Sequence, residues 1–131
     1  MGDVAGLPAD ETDLETSYSG QQVTDVSTDD GVRVQQCATD EYTVHLFKEQ
    51  NVNNTDEISI TVNLRSDLAP SSSTVYLQVY NFTDNEWEAV DNDSTTGADT
   101  DFDLEGEITV DVGEYYDGGN YVAFRVYQLA V

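Results

Sequence analysis

The chain has 131 residues, a length that suits one domain, and its 27 acidic against four basic residues give a formal net charge of −23. That negative field argues against nucleic acid, which demands basic patches, and against an anionic membrane surface. No apolar run approaches the roughly 18 residues of a membrane-spanning helix, and Met1-Gly2-Asp3-Val4 has neither the basic nor the apolar region of a secretory signal.

The first 20 residues are polar and acidic, hold Gly2, Gly6, Pro8 and Gly20, and show no sustained periodicity. They read as an extended acidic N-terminal arm, residues 1–20, ahead of a β-sandwich domain, residues 21–131. From there the apolar pattern has period two. Gln22–Ser27 and Val32–Gln36 are short predicted strands around an Asp29-Asp30-Gly31 turn. Cys37 follows; as the one cysteine it rules out an intrachain disulfide, and without a basic neighbour it reads as a small half-buried residue. Glu41–Lys48 sets Tyr42, Val44 and Leu46 against Thr43, His45 and Phe47. Glu57–Arg65 points Ile58, Ile60, Val62 and Leu64 inward.

Residues 66–73 form a loop. Thr74–Phe82 then carries Val75, Leu77 and Val79 on one face and Tyr76, Tyr80 and Phe82 on the other. Asp84-Asn85 turns the chain into Glu86–Val90, which holds Trp87. Residues 91–103 read as a long acidic loop, followed by a strand at Glu107–Val112, an Asp117-Gly118-Gly119-Asn120 turn and the strand Tyr121–Leu129. These eight segments predict an all-β fold, an antiparallel β-sandwich or jelly roll of about eight strands. Thr74–Phe82 and Tyr121–Leu129 are apolar on both faces and are expected at the centre of a sheet.

Such alternation builds a core, which disordered acidic chains lack. A folded domain with this charge is best explained by concentrated salt, where the Debye length falls to about 3 Å and self-repulsion is screened. The composition therefore predicts a halophilic protein.

Oxygen ligands abound, and Asp91, Asp93, Asp99, Asp101 and Asp103 are the candidate metal ligands, for calcium, in the 91–103 segment. The run from Asp91 departs from an EF-hand loop: its glycine falls at position seven where six is needed, and Phe102 stands where a bidentate glutamate belongs. Cys37 and His45 alone do not make a tetrahedral metal set. Nucleophilic catalysis would have to use His45 as its base, and no nucleophile elbow is present. The expectation is therefore no cofactor and no enzyme, with a glycosidase-type carboxylate pair left open because its signal is geometric. Trp87 is a candidate sugar contact. Three glycosylation sequons occur, Asn53-Asn54-Thr55, Asn81-Phe82-Thr83 and Asn92-Asp93-Ser94, and they matter only on a chain displayed outside a cell.

Residues 66–128, through LAPSSSTVYLQVYNFTDNEWEAVDND and YYDGGNYVAFRVYQ, resemble small β-sandwich modules of tailed-virus virion proteins and of extracellular surface proteins. The resemblance implies a non-catalytic part of a capsid, tail or cell-surface array. The reading that follows is a structural protein of a halophilic tailed-virus particle, a capsid decoration, turret or tail component located in the virion. Its partners would be other virion proteins or copies of itself in a homo-oligomer. Tyr76, Tyr80, Phe82, Tyr121 and Tyr127 are the expected interface. The rival is a carbohydrate-binding or adhesion module on the surface of a halophilic archaeon.

Overall fold

A computed structural model describes Gln21 and residues 42–130. Its strands are β1 (Tyr42–Gln50), β2 (Ile58–Leu64), β3 (Val75–Asn81), β4 (Glu86–Asp93), β5 (Phe102–Ile108) and β6 (Tyr121–Leu129), with a 3-10 turn at Val112–Tyr115 before β6. All pairings among the described residues are antiparallel. One sheet has the order β1-β6-β3-β4 and the other pairs β2 with β5. The two expected central strands, now β3 and β6, do lie at the centre of the larger sheet.

Period two builds both layers. In the smaller sheet Ile58, Ile60, Val62 and Leu64 stand opposite Ile108, Gly106, Leu104 and Phe102, and Ser59, Thr61 and Asn63 stand opposite Glu107, Glu105 and Asp103. The first set turns to the core and the acidic set to water. Ile58, Ile60, Phe102 and Leu104 join Val75, Leu77, Val79, Val122 and Val126 of the larger sheet in one apolar cluster, completed by Tyr115 and Tyr116. Leu77, Val79 and Leu104 are almost wholly buried.

The layers approach most closely where β4 meets β5. A β-bulge shifts the register so that Leu77 faces Asp91 while Gln78 faces Ala89, leaving Val90 as the extra residue. Val90 then packs on Gly106, where an added Cβ would lie 2.5 Å from Val90 Cγ2. Glycine is required there by contact, not by backbone angle. Asp91 Oδ2 accepts the Glu105 backbone N–H at 2.8 Å and ties the same two strands.

The turns predicted at Asp84-Asn85 and Asp117–Asn120 form, and the one at Asp29-Asp30-Gly31 lies outside the described residues. Asn85 closes the β3–β4 turn in the left-handed region at φ 55°, and Asn120 does the same before β6 at φ 65°. Asp117 Oδ1 accepts the backbone N–H groups of Gly119 and Tyr121.

The 91–103 segment is not one loop: β4 runs on to Asp93 and β5 begins at Phe102. The strand expected at Glu107–Val112 ends at Ile108, and Val110 is exposed. The apolar frame runs Phe102, Leu104, Gly106, Ile108, and its glycine breaks the apparent alternation. Six strands are present among the described residues. The arm 1–20, the strands expected at Gln22–Ser27 and Val32–Gln36, and Cys37 lie outside the described residues.

Candidate functional site

The alternation that buries Val75, Leu77 and Val79 turns Tyr76, Gln78 and Tyr80 to the opposite face of the larger sheet. β6 adds Ala123, Arg125 and Tyr127 there, β4 adds Trp87 and Ala89, and β1 adds Tyr42 and Val44. Arg125 organises this outer face. Its guanidinium carbon lies 4.2 Å from the Trp87 ring centroid and 5.6 Å from that of Tyr127. Its Nε donates to Gln78 Oε1 at 2.8 Å. Tyr127 stacks on Tyr76 at 5.0 Å, Trp87 meets Tyr80 edge-on at 5.2 Å, and Phe82 meets Tyr80 edge-on at 4.9 Å. Guanidinium over aromatic faces is a favourable electrostatic pairing with the ring quadrupole.

Burial varies across this face. Tyr42, Val44, Tyr80, Ala123 and Arg125 are buried, while Tyr76, Phe82, Trp87 and Tyr127 are half-buried. Desolvation draws the Arg125 guanidinium down to about 10, and the nearby Tyr127 and Tyr42 hydroxyls oppose that fall. Desolvation raises Tyr127, followed by the influence of Tyr76. The Trp87 indole N–H is buried without a hydrogen-bond partner. Of the expected interface, Tyr76, Tyr80, Phe82 and Tyr127 come together. Tyr121 shares the face at the start of β6 and is exposed. Arg125 was not foreseen as their organiser. The available signal was a basic residue placed mid-strand in Tyr121–Leu129, in a chain with four basic residues in all.

A second cluster lies at the β3–β4 turn. Asn81, 1% exposed, donates from Nδ2 to Glu88 Oε2 at 2.7 Å and Glu114 Oε2 at 3.2 Å, with Asp84 Oδ2 at 3.4 Å. Its Oδ1 accepts the backbone N–H groups of Thr83 and Asp84. Tyr115 donates its hydroxyl to Glu88 Oε1 at 2.9 Å; burial, then Glu88, raises its pKa to about 12. Asp84, Glu86 and Glu88 can bring one oxygen each within 4.8 Å of one another, an all-carboxylate set that suits a hard cation. The alternation Asp84, Glu86, Glu88 was visible in sequence, but among 27 acids it carried no weight.

Among the described residues the five candidate calcium ligands do not form such a group. Asp91 is spent on Glu105, and Asp93 caps its own turn through Thr95 N, Thr96 N and Thr96 Oγ1. The backbone N–H groups of Thr96 and Thr95 hold the Asp93 carboxyl below its ordinary value. Asp103 accepts from Asn63 Nδ2, Asp101 lies 3.9 Å from Arg65, and Asp99 sits in the left-handed region in the β4–β5 loop. His45 stacks on Phe47, which stacks on Phe124, and burial lowers its pKa to about 4. Between β1 and β2 a cleft of about 300 Å³ is lined by Ile58, Ile60, Tyr116, Val122 and Phe124 and rimmed by Glu49 and Glu57. Among the described residues no helix is long and apolar enough to cross a membrane.

Residues 1–129 match the family model AF_1625_C, described as "Uncharacterized protein, C-terminal domain", and the chain belongs to that family. No curated protein and no solved structure matches it.

Proposed function

We propose that this member of the AF_1625_C family is a non-enzymatic structural protein that works by protein–protein assembly in concentrated salt. In this reading the two sheets form a β-sandwich. Its setting is a halophilic tailed-virus particle, where it serves as a capsid decoration, turret or tail component. The reading is supported above all by the outer face of the larger sheet, where Tyr76, Tyr127, Trp87, Tyr80 and Phe82 surround Arg125. Aromatic residues and arginine are the side chains enriched in protein interfaces. Concentrated salt screens ion pairs between solvated surfaces but leaves apolar and aromatic contact intact. The acidic exterior then keeps the particle hydrated, and the aromatic face supplies the contact.

The sugar-binding alternative has less to draw on. A stacked sugar needs an open ring face, and the Arg125 guanidinium takes one face of Trp87.

Sedimentation in concentrated sodium or potassium chloride tests the assembly. The intact chain is expected as a multimer, and the double variant Tyr76→Ser, Tyr127→Ser as a folded monomer or an assembly weakened at least ~10-fold. An intact chain that stays monomeric at every concentration, alone and with its neighbours in the particle, overturns the reading. The arm belongs to the same proposal: removing residues 1–20 leaves the body folded and abolishes the multimer.

A further inference from the structure

We infer that Asn53 is an acceptor site for an N-linked glycan, and that the fold selects it from the three sequons. The inference rests on the β1–β2 loop and not on the aromatic face, and it requires that the chain be displayed outside a cell. All three asparagines satisfy the Asn-x-Ser/Thr pattern, but the structure puts them in different situations. Asn81 is 1% exposed and its amide nitrogen is held by Glu88 and Glu114, so no transferase reaches it in the folded chain. Asn92 is exposed but fixed in β4, where it pairs with Tyr76. β4 stops at Asp93 and Ser94 stands in the bend after it, where Asp93 and not Asn92 caps the turn through the backbone N–H groups of Thr95 and Thr96.

Asn53 lies in the exposed β1–β2 loop, beside Val52, which is 93% exposed. There the sequon is already folded on itself. Thr55 donates its hydroxyl to Asn53 Oδ1 at 2.6 Å and its backbone N–H to the same oxygen at 3.1 Å. Asn53 Nδ2 donates to Asp56 Oδ1 at 2.9 Å. Two donors on the amide oxygen acidify the amide N–H, and the Asp56 carboxylate accepts that N–H, so the arrangement assists loss of the proton that the nitrogen must shed to form the new bond. The loop is anchored so that this geometry persists: Asn51 N–H donates to Asn120 O, Gln50 Nε2 to Gly119 O, and Asn51 Nδ2 to Asp56 Oδ2.

The donor is a glycan carried on a polyprenyl phosphate or diphosphate. Asn53 Nδ2 attacks the anomeric carbon, forming the C–N bond. The bond from that carbon to the phosphate oxygen breaks, and the polyprenyl phosphate or diphosphate leaves with the electron pair. One amide proton passes to a base of the transferase. The product places a large hydrated group at the end of the molecule formed by the β1–β2 loop and the Gly118–Asn120 turn.

Two experiments read this out. Protein isolated from its own cells is digested with an acid-directed protease and its peptides are weighed. A glycan mass is expected on the peptide holding Asn53, absent in Asn53→Gln and in Thr55→Ala and retained in Thr55→Ser, with Asn81 bare. Separately, the folded chain is incubated with an oligosaccharyltransferase and a polyprenyl-linked donor. Asn53 is expected to be occupied, and Asn81 only in a short peptide cut from its surroundings. A bare Asn53 in the native protein, or equal occupancy of Asn81 and Asn53 in the folded chain, overturns the inference.

Discussion

The two faces of the larger sheet are built by the same two strands and differ in kind. Toward the smaller sheet, β3 and β6 present Val75, Leu77, Val79, Val122 and Val126. Away from it they present Tyr76, Gln78, Tyr80, Arg125 and Tyr127. The inner face is closed by a fixed partner layer, so branched aliphatics that interdigitate at close range serve it best. The outer face sets the half-buried rings of Tyr76 and Tyr127 beside the buried Tyr80 and Arg125, side chains with an apolar body and a polar tip. One period-two pattern thus gives the two faces different chemistry, aliphatic toward the smaller sheet and aromatic around one cation away from it.

That contrast fails most visibly if the inner face is not the stabilising one. Leu77→Ala empties a fully buried position beside Gly106 and Val90 and is expected to cost about 2–5 kcal/mol. Tyr76→Ala, on the half-buried side of the same strand, costs less. Denaturant unfolding of both variants at one fixed high salt concentration gives the ranking, and equal losses would erase the distinction between the faces.

Most of the strand pattern was legible because alternation is a local signal. β2, β3 and β6 read directly from their aliphatic and aromatic frames, and the division of β3 into Val75, Leu77, Val79 and Tyr76, Tyr80 was already visible. β5 was hidden because Gly106 occupies an inward position, and only a neighbouring strand explains why: Val90 leaves no room for a side chain. The bulge at Val90 likewise comes from pairing, which no local pattern records. The aromatic members of the outer face were legible as residue types. Their gathering around Arg125 was not, because it depends on β4, β3 and β6 lying side by side. The Asn81 cluster was unreadable for the opposite reason: in a chain this acidic, carboxylate spacing carries no information.

His45 tests how far the inner face extends onto β1, where it stacks on Phe47 beside Phe124. In the unfolded chain the imidazole titrates near 6.5; in the fold burial lowers that to about 4. The unfolded state therefore binds the proton more readily across this window. His45's contribution is full above about pH 6.5 and is lost as pH falls toward 4, by up to about 3 kcal/mol. His45→Gln is expected to flatten the stability profile between those limits relative to the parent chain. An NMR titration of the imidazole with a midpoint at or above 6.5 would place His45 in water and end the inner face at β6.

The smallest effect expected is at Arg125, and it separates two accounts of the outer face. If the guanidinium matters as a positive charge in a field of carboxylates, lysine should replace it and the benefit should fade as salt rises. If it matters as a flat group held between Trp87 and Tyr127 and bonded to Gln78 through Nε, lysine cannot reproduce it. The buried position favours the second account, because a desolvated contact of 4.2 Å lies beyond the reach of screening ions. Arg125→Lys and Arg125→Met are therefore expected to lose similar amounts, about 0.5–2 kcal/mol, in dilute and in concentrated salt alike. A loss confined to Arg125→Met that shrinks with added salt would return Arg125 to the general charge balance and leave the rings of the outer face without their organising residue.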